Sequence, residues 1–204
     1  MEKVRMGHDK KENIVKTWYN NLSKIKSIEI QNLIQATGCP NLELPLWDNI
    51  DDAVVNTIIS QMLSAKAANS IINKIYSNFN SSNDLLNHIN KSKLDKPLLG
   101  ISIKKQKSLL FWANSIVRKN FKNLNINNYN DVEDLFINVW GLGKWSVDML
   151  SIFYFCIPNV WPTSDLGIMK YSNSNFNGEK PSSITGLETI TSLCIWHGID
   201  NNNF

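Results

Sequence analysis

The chain has 204 residues, enough for one substantial hydrophobic core or two small lobes sharing a groove, and too few for several independent domains. With 21 Lys plus Arg against 18 Asp plus Glu, the formal net charge of +3 permits a polyanionic partner but excludes a protein that binds one by charge alone. Cys39, Cys156 and Cys194 lie far apart without CxxC spacing, which excludes the usual zinc and iron–sulfur frameworks and is read as reduced, mostly buried thiols.

Met1 to Asn13 is charged throughout, and residues 1–12 are read as a flexible tail without a signal sequence. Ile14, Trp18, Leu22 and Ile25 then recur at helical spacing, and Ile28 to Thr37 repeats the pattern before stopping at Gly38. From Ile50, the positions Val54, Ile58 and Met62, continued by Ala65, Ala68, Ile72, Ile75 and Phe79, predict one long helix or two consecutive ones. Asp84 to Ile89 and Leu94 to Leu99 read as short helical turns, and Lys104 to Phe121 as a helix. Asn130 with Glu133 resembles a capping box opening the apolar run Val132 to Trp140. The longest apolar stretch, Met149 to Trp161, is too short for a bilayer and contains Ser151 and Pro158, so no membrane partner is expected. Tyr171 to Ile184 reads as a long polar loop, and Leu187 to Trp196 as the last helix. Almost nothing alternates with period two, so the fold class is all-α, with residues 13–204 forming one domain of two helical lobes. A central lobe at roughly 50–130 and a second at 13–49 with 131–204, carrying the hairpin described next, are expected.

The most informative segment runs from Asp131 to Lys170. A helix enters Gly141-Leu142-Gly143, and another starts at Lys144-Trp145 and stops at Pro158. Two glycines around one apolar residue let the backbone turn tightly, so that N–H groups at the start of the second helix can receive a phosphate while Leu142 plugs the turn into the core. An ordinary αα-turn is the competing reading.

At a fixed distance follows Val160-Trp161-Pro162-Thr163-Ser164-Asp165-Leu166-Gly167. Here the chain resembles the helix-hairpin-helix DNA glycosylase superfamily, whose signature is this hairpin, a Gly- or Pro-rich loop and an essential aspartate. Trp145 directly after Gly-x-Gly-Lys, and the ending Asp165-Leu166-Gly167, are most similar to the 3-methyladenine DNA glycosylase II branch. So is Ile58-Ile59-Ser60-Gln61-Met62-Leu63-Ser64-Ala65-Lys66-Ala67-Ala68, and Leu99-Gly100-Ile101-Ser102 with Gln106-Lys107 is similar to the family's Gly-x-Ser-x-x-Lys stretch. The resemblance covers roughly residues 28 to 196.

It implies a two-lobed helical fold and a monofunctional glycosylase that flips an alkylated purine out of duplex DNA and hydrolyses its N-glycosidic bond. The Schiff-base lysine of strand-cutting relatives is replaced by Trp145, with Lys144 one residue early, and three scattered cysteines cannot form the iron–sulfur tail of other branches. Asp165 is implied as the catalytic carboxylate; a plain helix cap at Ser164 or Asp165 is the bland alternative. Trp145, Met149 and Trp196 are implied as walls of the base pocket, against a reading of all three as core. Gln61 and Met62 occupy the position of the side chain inserted into the duplex, against a core reading for Met62. Gly141, Leu142, Gly143, Lys144 and Lys66 are candidate phosphate contacts, as are Lys104 and Lys105, against a reading of the lysines as merely solvated. No cofactor is required, but relatives hold a monovalent Na+ or K+ through backbone carbonyls, here those of Ile137, Val139 and Leu142. The expected partner is double-stranded DNA containing a damaged base. The protein is expected to be a monomer in the cytoplasm, nucleoid-associated, or in the nucleus of a eukaryote. Two alternatives stay open: a non-catalytic helix-hairpin-helix module that binds DNA structure, and a glycosylase for another lesion.

Overall fold

The computed structural model describes residues 8–201, whose regular elements are all helices joined by loops and turns, with one isolated bridge between Leu98 and Ile101. In chain order the helices are α1 (His8–Asn20), α2 (Ile28–Thr37), α3 (Ile50–Ser60), α4 (Ala65–Tyr76), α5 (Ser82–Lys91), α6 (Ile103–Asn114), α7 (Ile116–Asn120), α8 (Tyr129–Phe136), α9 (Lys144–Phe153), α10 (Leu166–Phe176) and α11 (Glu188–Asp200). Of the expected tail, residues 1–7 lie outside the described residues, whereas residues 8–12 are the opening turns of α1. No described helix is long and apolar enough to cross a membrane.

The local reason for so many short helices is visible in the sequence. Each helix from α2 to α8 opens on a Ser or Asn whose side chain accepts a backbone N–H three residues on: Ser27, Asn49, Ser64, Ser81, Ser102, Ser115 and Asn128. Such a cap satisfies an N–H that the helix cannot, for about 1 kcal/mol each. The expected capping box at Asn130 and Glu133 is displaced: Asn128 and Asp131 form it, because α8 starts two residues earlier. Ser115 likewise interrupts the helix expected over Lys104 to Phe121, dividing it into α6 and α7.

The chain forms two compact units. The first is Leu46–Leu150, and the second joins residues 8–45 to residues 151–201. The boundary therefore falls at 150/151 rather than 130/131, and the glycine hairpin belongs with α3 to α8. In the first unit Val54, Ile58, Ile75, Leu85, Leu109 and Phe136 are buried together with Trp112, whose ring stacks on Phe136 at 5.9 Å. Asp51, at the start of α3, binds the Arg118 guanidinium of α7 with both oxygens (2.7 and 2.8 Å) and the Trp112 indole at 2.9 Å. Leu94 to Leu99 is not helical: Leu99 at φ +51 and Gly100 at φ +96 turn the chain so that Leu98 and Ile101 pair through both backbone bonds.

The second unit is built on Ile25, Ile30, Leu33, Ile168, Tyr171 and Ile195. Tyr171 to Phe176, read as the start of a polar loop, is the second half of α10. Asn173, Ser174 and Asn175 cover the solvent face while Ile168, Tyr171 and Ser172 are buried, and tertiary packing overrides the weak helix preference of the Ser and Asn residues. The cysteine reading is also corrected. Cys39, just past the end of α2, and Cys194 in α11 form a disulfide with Cα atoms 5.1 Å apart, because α2 packs along α11; only Cys156 is a free thiol.

Candidate functional site

In the first unit, α8 ends at Phe136 and the chain turns back into α9. Val139 accepts the Leu142 N–H at 2.9 Å, and Leu142 is 2 % exposed, so the turn closes over its own apolar plug. The two glycines serve different ends. Gly141 has φ +91, and a Cβ there would lie 2.2 Å from Ser108 Oγ of α6, so no side chain fits. Gly143 has open space where its Cβ would be, and its carbonyl accepts the N–H groups of Ser146 and Val147, opening α9. An α-helix leaves its first N–H groups without intrahelical acceptors and carries partial positive charge at that end. The surface beside Gly143 can therefore take an anion.

Lys144 is exposed but engaged. Its Nζ pairs with Glu133 Oε1 at 3.0 Å, donates to Tyr129 Oη, and lies 4.4 Å from that ring's centre. Tyr129 in turn donates to the buried Asp148 at 2.7 Å, and burial, then Asp148, pushes its pKa well above the ordinary phenol range. The charge of Lys144 is thus spent on pinning α8 to α9. Lys66 is exposed in the first turn of α4. Trp145 is half-buried and Met149, one turn on along the same face of α9, is 7 % exposed. Of the three carbonyls implied for a cation, that of Val139 already accepts the Leu142 N–H, so an ion would use its remaining lone pair; Ile137 and Leu142 flank it in the same turn. Among the described residues no group of three or more His, Cys, Asp and Glu could hold a metal through side chains.

Between α3 and α4 the pair Gln61-Met62 separates. Gln61 points inward, its Nε2 donating to Gly141 O at 2.8 Å and Ser146 Oγ at 2.9 Å, while Met62 is 93 % exposed at φ +57. The core reading of Met62 is excluded, and of the two only Met62 projects. Lys105, grouped with the phosphate contacts from its sequence, instead donates to the carbonyls of Ile59 (2.6 Å) and Gln61 (2.9 Å) at the end of α3.

In the second unit, Asp165 caps α10: its Oδ1 accepts the N–H groups of Gly167 (3.0 Å) and Ile168 (3.1 Å). The same oxygen accepts the Trp196 indole N–H of α11 at 2.9 Å, and the Trp196 ring stacks on Phe153 at 5.8 Å. The cap reading and a chemical role are compatible, since the cap and the indole together hold the carboxylate in one orientation. Gly167 makes the arrangement possible: a Cβ there would meet Ile199 Cδ1 at 2.9 Å and Asp165 Oδ1 at 3.2 Å.

Sequence reasoning missed Ser108 beneath Gly141, the packing role of Gly167 beneath Trp196, and the Tyr129–Asp148 pair, and it read Lys105 as a phosphate contact rather than a donor to the α3 carbonyls. Only Lys105 left a signal, a lysine in a helix's first turn, where the dipole disfavours a cation.

No protein-family model matches the chain, and no curated protein matches it. Solved structures do. The 3-methyladenine DNA glycosylase of Schizosaccharomyces pombe, in complex with abasic DNA, superposes with TM-score 0.60 at 20 % identity, covering 85 % of this chain and 91 % of that one. The 3-methyladenine DNA glycosylase of Archaeoglobus fulgidus gives 0.60 at 18 %, covering 93 % and 70 %. The DNA-3-methyladenine glycosidase of Bacillus halodurans gives 0.53 at 21 %, covering 91 % and 81 %.

Proposed function

We propose, from the premise that this chain has the all-helical fold of the 3-methyladenine DNA glycosylases, that it is itself a monofunctional DNA glycosylase. It would take an alkylated purine of the 3-methyladenine type out of duplex DNA and hydrolyse its N-glycosidic bond, leaving an abasic strand. The observation that carries this reading is Asp165, a carboxylate held through Oδ1 by two backbone N–H groups and the Trp196 indole. A carboxylate kept in one orientation can oppose the positive charge that develops on the sugar as the base departs, and can direct a water onto the same carbon. Its orientation is set before substrate arrives, so none of the reaction's energy goes into arranging it.

The other residues support the same reading. Backbone N–H groups at the start of α9, with Gly143 open beside them, suit a DNA phosphate, and Lys66 adds positive charge. Exposed Met62 suits an apolar wedge for the gap left by a flipped base. Trp145, with Met149 one turn on along α9, and separately Trp196 of α11 are aromatic groups of the kind on which a cationic, alkylated purine stacks. A monovalent cation on the carbonyls of Ile137, Val139 and Leu142 would brace the hairpin. The absence of lyase activity is part of the proposal, because Trp145 stands where strand-cutting relatives carry a lysine and Lys144 is held by Glu133 and Tyr129.

The test is release of free base from methylated duplex DNA by the purified protein under single-turnover conditions. Asp165→Asn keeps the side chain's size and removes its charge, so excision should slow by roughly a hundredfold or more while DNA affinity is nearly unchanged. Wild-type excision by this variant would reduce Asp165 to a helix cap.

A further inference from the structure

The turn that carries Met62 breaks a local rule. Leu63 N–H returns to Ser60 O at 3.1 Å, Gln61 has φ −50 and ψ 129, and Met62 has φ +57, the geometry of a type II β-turn with Met62 at its third position. That position asks for glycine, and an L side chain there is strained. A type I turn over the same four residues would relieve Met62. The two types differ by a flip of the central peptide, here the one joining Gln61 to Met62, whose oxygen is Gln61 O. A contact on that oxygen therefore selects the turn type.

Lys105 makes that contact, donating to Gln61 O at 2.9 Å and to Ile59 O at 2.6 Å from the first turn of α6. Its position is itself unfavourable. A cation near a helix N-terminus opposes the dipole, and burial lowers the Lys105 pKa from the ordinary lysine value. Gln61 Nε2 also ties the turn to Gly141 O and Ser146 Oγ. Two locally costly choices, a left-handed methionine and a half-buried lysine, meet on one peptide. Strain held in place by its surroundings is a mark of functional geometry.

We propose that Lys105 is a positioning residue that locks the Gln61–Met62 peptide in the orientation presenting Met62, and that Gln61 registers this turn against the glycine hairpin. What Met62 meets when presented, the gap in a duplex, rests on the glycosylase reading; the lock on the peptide does not.

Two readouts keep these apart. The first needs no DNA: the 13C shifts of Met62 Cα and Cβ report the sign of φ. In Lys105→Met they should move from left-handed to right-handed values, and in Lys105→Arg they should stay. Unchanged left-handed shifts in Lys105→Met overturn the proposal whatever happens with DNA. The second is titration against an undamaged duplex and one containing a tetrahydrofuran abasic analogue. Lys105→Met and Met62→Ala should each lose about tenfold on the abasic duplex and little on the undamaged one, and the double variant should be no worse than either alone. Additive losses would show that Lys105 acts apart from Met62 and would overturn it. If the wild type does not discriminate the two duplexes while the shifts move as stated, the lock stands and the glycosylase reading fails. Should Lys105→Met not fold by circular dichroism, Lys105→Gln, too short to reach both carbonyls, carries the same expectations.

Discussion

At Gly141 a methyl group would meet Ser108 Oγ at 2.2 Å on a backbone at φ +91, whereas at Gly143, two residues on, it would meet nothing within 4 Å. The pair thus separates, within one motif, a glycine that the packing requires from one that it does not. Gly141→Ala should destabilise the fold by about 1–3 kcal/mol through strain and overpacking, seen as a lower urea midpoint. Gly143→Ala should stay within about 0.5 kcal/mol of wild type, since no special backbone is required and the site is open. The same methyl stands where a phosphate would approach the α9 N–H groups, so Gly143→Ala should weaken binding to damaged and undamaged duplexes alike. Normal binding by a folded Gly143→Ala would leave the hairpin an ordinary turn. From sequence the two glycines look equivalent; they differ because Ser108, 33 positions before Gly141, packs against only one of them.

At the scale of elements, α8 and α9 are joined by side chains as well as by the hairpin. Lys144 at the head of α9 reaches back to Tyr129 and Glu133 of α8, and Tyr129 binds Asp148 one turn further along α9. An amine engaged by a carboxylate, a phenol and an aromatic face is not free to attack a sugar carbon. Incubation with abasic DNA and borohydride should therefore trap no covalent protein–DNA species, and the product strand should stay intact until alkali is added. A trapped band that disappears in Lys144→Ala would contradict this. In the second unit the join between α10 and α11 follows similar logic with different parts: Gly167 lets the helices approach, and Trp196 and Asp165 meet across the contact. The apolar period of α10 is partly hidden by Ser172, Asn173, Ser174 and Asn175, which is why its second half reads as loop.

For the whole molecule, the second unit brings together residues from both ends of the described chain, and the disulfide between Cys39 and Cys194 spans 155 positions. Closing so long a loop constrains the unfolded chain, typically by about 2–5 kcal/mol, so reduction should lower the melting temperature. Thiol titration in denaturant should count one reactive cysteine before reduction and three after. Three before reduction would restore the reading of free thiols. In the folded protein Cys156 should resist thiol reagents at neutral pH, because burial pushes its pKa up to about 12 and the thiolate is scarce below that value.

The sequence by itself determined the all-helical class, the bounds of α2, the hairpin with its apolar plug, and the aspartate at the head of α10. All of these are local: helical period, caps, glycine punctuation and a short motif lie within about a dozen residues of chain. The tertiary structure decided the rest. It turned Gln61 inward and Met62 outward, assigned Lys105 to a backbone carbonyl, made Gly141 indispensable and Gly143 open, set Trp196 on Asp165, and paired two cysteines far apart in the chain. Each of these depends on an atom brought close by packing rather than by covalent neighbourhood, and periodicity carries no record of which distant side chain fills the space beside a residue.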